Sequence, residues 1–210
     1  MWRGQAPTVA TKPEVFFADA DLYDELGRLR DPEYINGQRD RREIAALADL
    51  AESEREALGG DLSRRIVTLT DGPLLLWTPK RVSDRETARE IHHFAGQLDR
   101  LCRARAVPIG YIDRPSSAYI LRILELIGLP IEQINRESLR KGDFLYLTDQ
   151  SLFADLGPNE RTGLFVPASE VSEHYARAGH RIVFFYLNVA RPGADRRHET
   201  RGILRRCGFV

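Results

Sequence analysis

The chain has 210 residues, 42% hydrophobic and 30% charged, with 31 basic side chains balanced by 31 acidic ones. That is enough for one large domain or two small ones with a true core. Zero net charge excludes a protein that grips nucleic acid by whole-molecule charge, so any such binding falls to a local patch or a partner.

Residues 1–37 read as an irregular N-terminal segment, with a short strand at 14–18 (EVFFA). Ile44, Leu47, Leu50 and Ala51 recur at helical spacing over 38–58, and Gly59-Gly60 ends that helix. Ile66, Val67 and Leu69 open a strand that Asp71-Gly72 interrupts, and Leu74-Leu75-Leu76-Trp77 resumes it. Ser83 to Glu86 form a capping box for a helix reaching about residue 105, with Ile91, Phe94, Leu98 and Leu101 on one face. VPIGYI (107–112) is a buried strand. A turn at Arg114-Pro115-Ser116-Ser117 leads into a helix striped by Ile120, Leu121, Leu124 and Ile127. FLYL (144–147) and GLFVP (163–167) read as strands, 169–178 as a helix and RIVFFYLN (181–188) as a strong strand. Strands alternating with helices predict an α/β sheet flanked by helices. Functional groups in such sheets gather at strand ends, where Asp71, Asp113, Arg114, Asp149 and Asn188 lie.

Cys102 and Cys207 are far apart and form no Cys-x-x-Cys pair, so neither a disulfide framework nor a zinc site is expected. Cys102 has no evident histidine partner for nucleophilic work. No apolar run approaches the roughly 18 residues of a membrane helix, and no charged-then-apolar leader opens the chain, so the expectation is a cytoplasmic protein without a membrane role. Asp71-Gly72 has two readings. One is a tight hairpin turn. The other is a carboxylate at a strand end that holds a divalent cation, with Glu43 as a second oxygen ligand brought over by its helix. Glu43 also has a bland reading, as an acidic residue early in a helix that favours the dipole. Arg114 and the amides of the helix that follows it suit a phosphate, with surface solvation as the alternative. His92 and His93 are adjacent on a helix, point apart and make a poor ligand pair.

Four blocks, in order, resemble the NurA nucleases: LTDGPLLLW, PIGYIDRPSSAYILRIL, LTDQSLFADLGPNERTGLF and HRIVFFYLNV, with the resemblance spanning roughly residues 39–190. The resemblance implies a domain over 38–190, an RNase H-like mixed sheet flanked by helices and a metal-dependent 5′-to-3′ DNA nuclease. It implies Mn²⁺, with Mg²⁺ as the alternative, and a homodimer that processes DNA ends beside a HerA-type hexameric translocase. Asp71 and Glu43 take the catalytic and metal positions, with Asp149 as a further metal ligand. Arg114, Ser116 and Arg161 take nucleic-acid positions, and Tyr186, His198 and Glu199 a C-terminal one. Two motifs depart from the family pattern. No Asp-Gly-Ser strand precedes Glu43, since Asp19 and Asp21 in FFADADLYDEL do not match it, and residues 191–210 form a divergent tail without the usual Pro-Trp segment. The expectation is therefore a chain lacking its first strand and cutting poorly. The competing readings are a catalytically inactive subunit that binds the translocase and an unrelated α/β protein in which Asp71-Gly72 is only a turn.

Overall fold

The structure, a computed structural model, describes residues 13, 15, 18–23, 27–30, 32–75, 84–113, 115–135, 137–138, 142, 144–190 and 201–208. Of these, 20–21, 32–33, 84–87 and 201–208 are described by backbone alone. The strand expected at 14–18, the Ser83 cap and Trp77 lie outside the described residues. The element order is α1 (Asp19–Leu22), α2 (Pro32–Ala57), β1 (Ile66–Asp71), α3 (Asp84–Arg103), β2 (Ala106–Asp113), α4 (Tyr119–Ile127), a 3₁₀ turn (Ile131–Gln133), α5 (Asp149–Leu152), α6 (Glu170–Arg177), β3 (Arg181–Asn188) and β4 (Arg201–Gly208).

The four strands form one mixed sheet in the order β1-β2-β4-β3. β1 and β2 are parallel, with α3 as the crossover, and β4 runs antiparallel to both β2 and β3. β3 is thus parallel to β1 and β2, and Asp71, Asp113 and Asn188 finish their strands at one end of the sheet. The segment expected as a divergent tail contributes β4, between β2 and β3. Its sequence, RGILRRCG, has three arginines among few apolar residues and so gives no clear alternation.

Helices α2 and α3 cover one face of β1 and β2. Ile44, Ala48 and Ala51 on α2 and Ile91, Phe94, Ala95, Leu98 and Leu101 on α3 are buried together, at spacings that place each set on one side of its helix. The small side chains of Ala48 and Ala51 allow the helices to approach closely. Ion pairs clamp their edges. Arg41 binds Glu90, and Arg100 donates to Glu52 at 3.0 Å and to Asp49 at 2.7 Å. The hydrogen bond from Arg100 holds the Glu52 carboxyl below its usual range. A second cluster packs Ile120, Phe184 and Tyr186 with Phe153 and Phe165.

Leu74 and Leu75, the described part of the apolar run after Asp71, join the core without being a strand. Gly72 takes φ 146°, in a region that L side chains rarely adopt, and its N–H extends the β1–β2 ladder to the Tyr111 carbonyl at 2.8 Å. The chain then crosses β2 over Gly110, where an added Cβ would lie 2.5 Å from the Gly72 carbonyl oxygen and 2.9 Å from the Leu74 nitrogen. This crossing buries Leu74 and Leu75 under the helices. Among the described residues the hairpin reading of Asp71-Gly72 finds no support, because past Gly72 the chain crosses over β2 at Gly110 instead of turning back along β1.

Two expected strands are absent. Residues 144–146 form turns, with the Phe144 N–H held by the Glu125 carboxylate at 2.7 Å and Tyr146 almost fully exposed. Local apolar content there does not coincide with a free sheet edge. GLFVP contributes an isolated bridge in which Phe165 and Phe184 exchange both main-chain hydrogen bonds, and with Asn159 to Thr162 it follows the outer edge of β3 without forming a continuous strand. Among the described residues, no helix is long and apolar enough to cross a membrane.

Candidate active site

α2 starts at Pro32, a residue that suits the first helical turn, so Glu43 sits three turns inside the helix. The dipole effect fades within the first turn, and the bland reading of Glu43 fades with it. α2 crosses the C-terminal end of β1. There Glu43 Oε1 accepts the Asp71 main-chain N–H at 3.2 Å. The strand pleat aligns Asp71 with the exposed Val67 and Leu69, while Thr68 and Thr70 face the helices. Glu43 therefore meets Asp71 first at its main chain, and the Asp71 side chain stays exposed at the strand end.

Arg39, Asp40, Glu43, Thr70, Asp71 and Gly72 line an open cavity of about 110 Å³, floored by Ile44, Pro73 and Phe94. A water needs roughly 10–15 Å³ of such space, so several waters or a hydrated ion with one phosphate group fit. The donors are hard oxygens: two acidic side chains that sequence reasoning singled out, a third in Asp40 and the Thr70 hydroxyl. That set suits Mg²⁺ or Mn²⁺, although among the described residues no group of three or more His, Cys, Asp or Glu side chains converges on one point. Glu43 and Asp40 reach this cavity from the helix side, whereas the Asp71 carboxylate leaves β1 on the opposite face at the strand's end, so a cation in the cavity would be held largely by water or substrate.

Beside Asp71 in the β1–β2 register stands Tyr111, half-buried. Burial, with the neighbouring Asp113 carboxylate, pushes its phenol above the usual range and keeps it a proton donor. Sequence reasoning missed Arg39, Asp40 and Tyr111. Strand pairing signals Tyr111, and the four-residue spacing from Glu43 signals Arg39.

Asp149 is not part of this cavity. It is fully buried, and its carboxylate is already taken up. Oδ1 accepts the Leu121 N–H at 2.9 Å, and Oδ2 accepts the Ile120 N–H at 3.1 Å and the Tyr186 hydroxyl at 2.5 Å. The Ser117 hydroxyl lies 3.4 Å away, and the Asp149 N–H donates to the Ser117 carbonyl at 2.8 Å. Asp149 thus caps α4 from a distant segment, as no side chain at the helix's own N-cap does. This corrects two expectations. Asp149 is a structural anchor rather than a ligand beside Asp71, and the α4 amides expected to hold a phosphate already hold a carboxylate.

Tyr186, expected at a C-terminal site, is buried with its hydroxyl committed to Asp149. Arg161 is exposed. It donates to the Thr162 carbonyl at 2.8 Å, and its guanidinium carbon lies 5.6 Å from the Phe185 ring centroid. Ser116 is exposed in the loop before α4. Arg114, His198 and Glu199 lie outside the described residues. Asp19 is exposed on α1, apart from the cavity-lining residues, and the backbone of Asp21 shares that helix. Burial, with Asp99 nearby, raises the Cys102 thiol above its usual value, away from the reactive thiolate.

A family model for the NurA domain matches residues 5–205. No curated protein matches the chain, and no solved structure does. The match spans nearly the whole sequence and includes β1 to β3, part of β4, the α2 helix and the cavity-lining residues, so the chain belongs to the NurA family, which is nuclease-related.

Proposed function

We propose that the chain is a metal-dependent deoxyribonuclease that hydrolyses phosphodiester bonds at DNA ends. The observation that carries this reading is the meeting of Glu43 with the main chain of Asp71 at the sheet's C-terminal end, in an open cavity lined by hard oxygen donors. Membership of a nuclease-related family supports it. A Mn²⁺ or Mg²⁺ ion held by Asp71 and Glu43 would supply an activated water and charge stabilisation for the leaving oxygen. The chain's own contribution is geometric. The Asp71 amide fixes one Glu43 oxygen, α2 is locked to α3 by its arginine clamps, and the overpass at Gly110 sets where β1 ends. The finer properties carried by the resemblance belong to the same proposal: an RNase H-like sheet, 5′-to-3′ polarity, homodimerisation, end processing for repair beside a HerA-type translocase, and action in the cytoplasm. The mixed sheet flanked by helices is compatible with that architecture.

The test is cleavage of end-labelled linear DNA with Mn²⁺. Asp71→Asn preserves shape and removes a ligand charge. Because lost outer-shell support alone costs 10–100-fold, a lost ligand is expected to lower the rate by about 100-fold or more. Undiminished cleavage by the folded variant overturns the assignment. A second reading, a non-cutting subunit that binds the translocase, is favoured by the lack of a convergent three-ligand group among the described residues. It predicts translocase binding by the unsubstituted chain without any Mn²⁺-dependent cleavage.

A further inference from the structure

Arg39 lies one turn before Glu43 on α2, and the two share a helix face and line the same cavity as Asp71. Its side chain is 73% exposed, and its hydrogen bond among the described residues runs to the adjacent Asp40 at 3.4 Å. Charge-assisted bonds of this kind normally measure about 2.7–2.9 Å, so Asp40 holds the guanidinium only loosely. Nearby arginines differ. Arg41 is committed to Glu90, Arg100 to Glu52 and Asp49, and Arg55 to the Ala104 and Arg64 carbonyls. These arginines fasten α2 to its surroundings, whereas Arg39 faces an open cavity.

The charges of the cavity give this a consequence. Asp40, Glu43 and Asp71 line the same cavity as Arg39, so acidic residues outnumber the one basic residue there three to one. Unaided, such a cavity repels a phosphodiester. Asp40 and Arg39 offset each other, and a divalent ion would offset Glu43 and Asp71. A phosphate arriving beside that ion finds the guanidinium as the remaining positive group, planar and able to offer two parallel N–H donors.

We propose that Arg39 is the phosphate-binding residue of this cavity, its guanidinium exchanging Asp40 for the non-bridging oxygens of the phosphodiester next to the one that is cut. The proposal rests on the reading of Asp71 and Glu43 as cation ligands. Arg39 sets the register of the strand in the cavity and adds to its affinity.

The experiment measures binding of a fluorescein-labelled single-stranded oligonucleotide over a series of KCl concentrations. Ca²⁺ replaces Mn²⁺ so that the strand stays whole, as checked by electrophoresis. Arg39→Ala is expected to weaken binding about 10-fold or more, because it removes a hydrogen bond from a charged donor. The log–log salt slope should fall by about 0.7, the value for one phosphate contact on a single strand. Arg39→Lys should keep the slope and recover only part of the affinity, because a point charge cannot reproduce the fork. Circular dichroism verifies the fold of each variant. Unchanged affinity and slope in Arg39→Ala overturn the assignment, as does absence of binding by the unsubstituted chain. Failure of the nuclease reading registers separately, as Mn²⁺-dependent cleavage that survives Asp71→Asn.

Discussion

Asp71 and Asp149 are both aspartates that meet a helix, yet the fold uses them in opposite ways. Asp149 sits where three segments converge, and its oxygens receive two amides and two hydroxyls. Asp71 ends a strand in the open, and the hydrogen bond fixed there belongs to its main chain. A carboxylate whose lone pairs are filled by protein donors stabilises the fold and has little left for a ligand. One left facing solvent contributes little to the fold and remains available. The number of protein donors already attached separates the two more sharply than position at a strand end.

Substitutions can break this contrast. Asp149→Ala strands two buried amides and a buried tyrosine hydroxyl, and should destabilise the protein by about 2–4 kcal/mol, measured by urea denaturation. Retained Mn²⁺ binding by the folded fraction would keep Asp149 out of the cavity's chemistry, and lost Mn²⁺ binding would return it there. Tyr186→Phe removes one of the four donors and leaves the ring in its aromatic cluster, so a loss of about 1 kcal/mol is expected. A neutral result would mean that the remaining donors suffice for Asp149.

Acid tests the helix that carries Glu43. Glu52 has its carboxyl held below the usual range by Arg100, so it is more acidic in the folded state than in the unfolded one. Its stabilisation is complete above the unfolded value of about 4.5 and is lost as pH falls through the lower folded value. Glu52→Gln should flatten that part of the pH–stability curve, by under about 1 kcal/mol because the pair is solvent-screened. The smallest expected effect is that of Asp71→Asn on stability, within about 0.5 kcal/mol, although the same change is expected to abolish cleavage. A large loss of stability would make Asp71 a second structural anchor and erase the contrast.

The sequence exposes most of this fold where periodicity is strong. α3 and α6 lie within the expected helices, and β2 and β3 cover the expected strands, because their apolar spacing matches their burial. The approach of Glu43 to Asp71 is anticipated both by the reading of two carboxylates, one on a helix and one at a strand end, and by family resemblance, but neither indicates that the contact is made to the Asp71 main chain. β4 stays hidden because its arginines mask a position in the sheet interior. FLYL misleads because β-prone residues form a strand only where an edge is available to pair. Asp149 misleads for a different reason: the amides of Ile120 and Leu121 reach it only after α4 has folded against α5, a relation between distant segments that spacing does not encode.

The insertion of β4 between β2 and β3 also orders the assembly of the molecule in time. β1, α3 and β2 form a unit from neighbouring stretches of chain, while within the sheet β3 is joined to β2 through a strand that follows β3 in sequence. During synthesis, β2 leaves the ribosome long before its antiparallel neighbour exists and must wait with an unpaired edge. Pairings between such distant stretches form slowly, and an exposed edge in the interval invites contact with other chains. The nascent chain is therefore most vulnerable to aggregation between the emergence of β2 and that of β4, and a chaperone that shields the edge of β2 over that interval should raise the yield of folded protein.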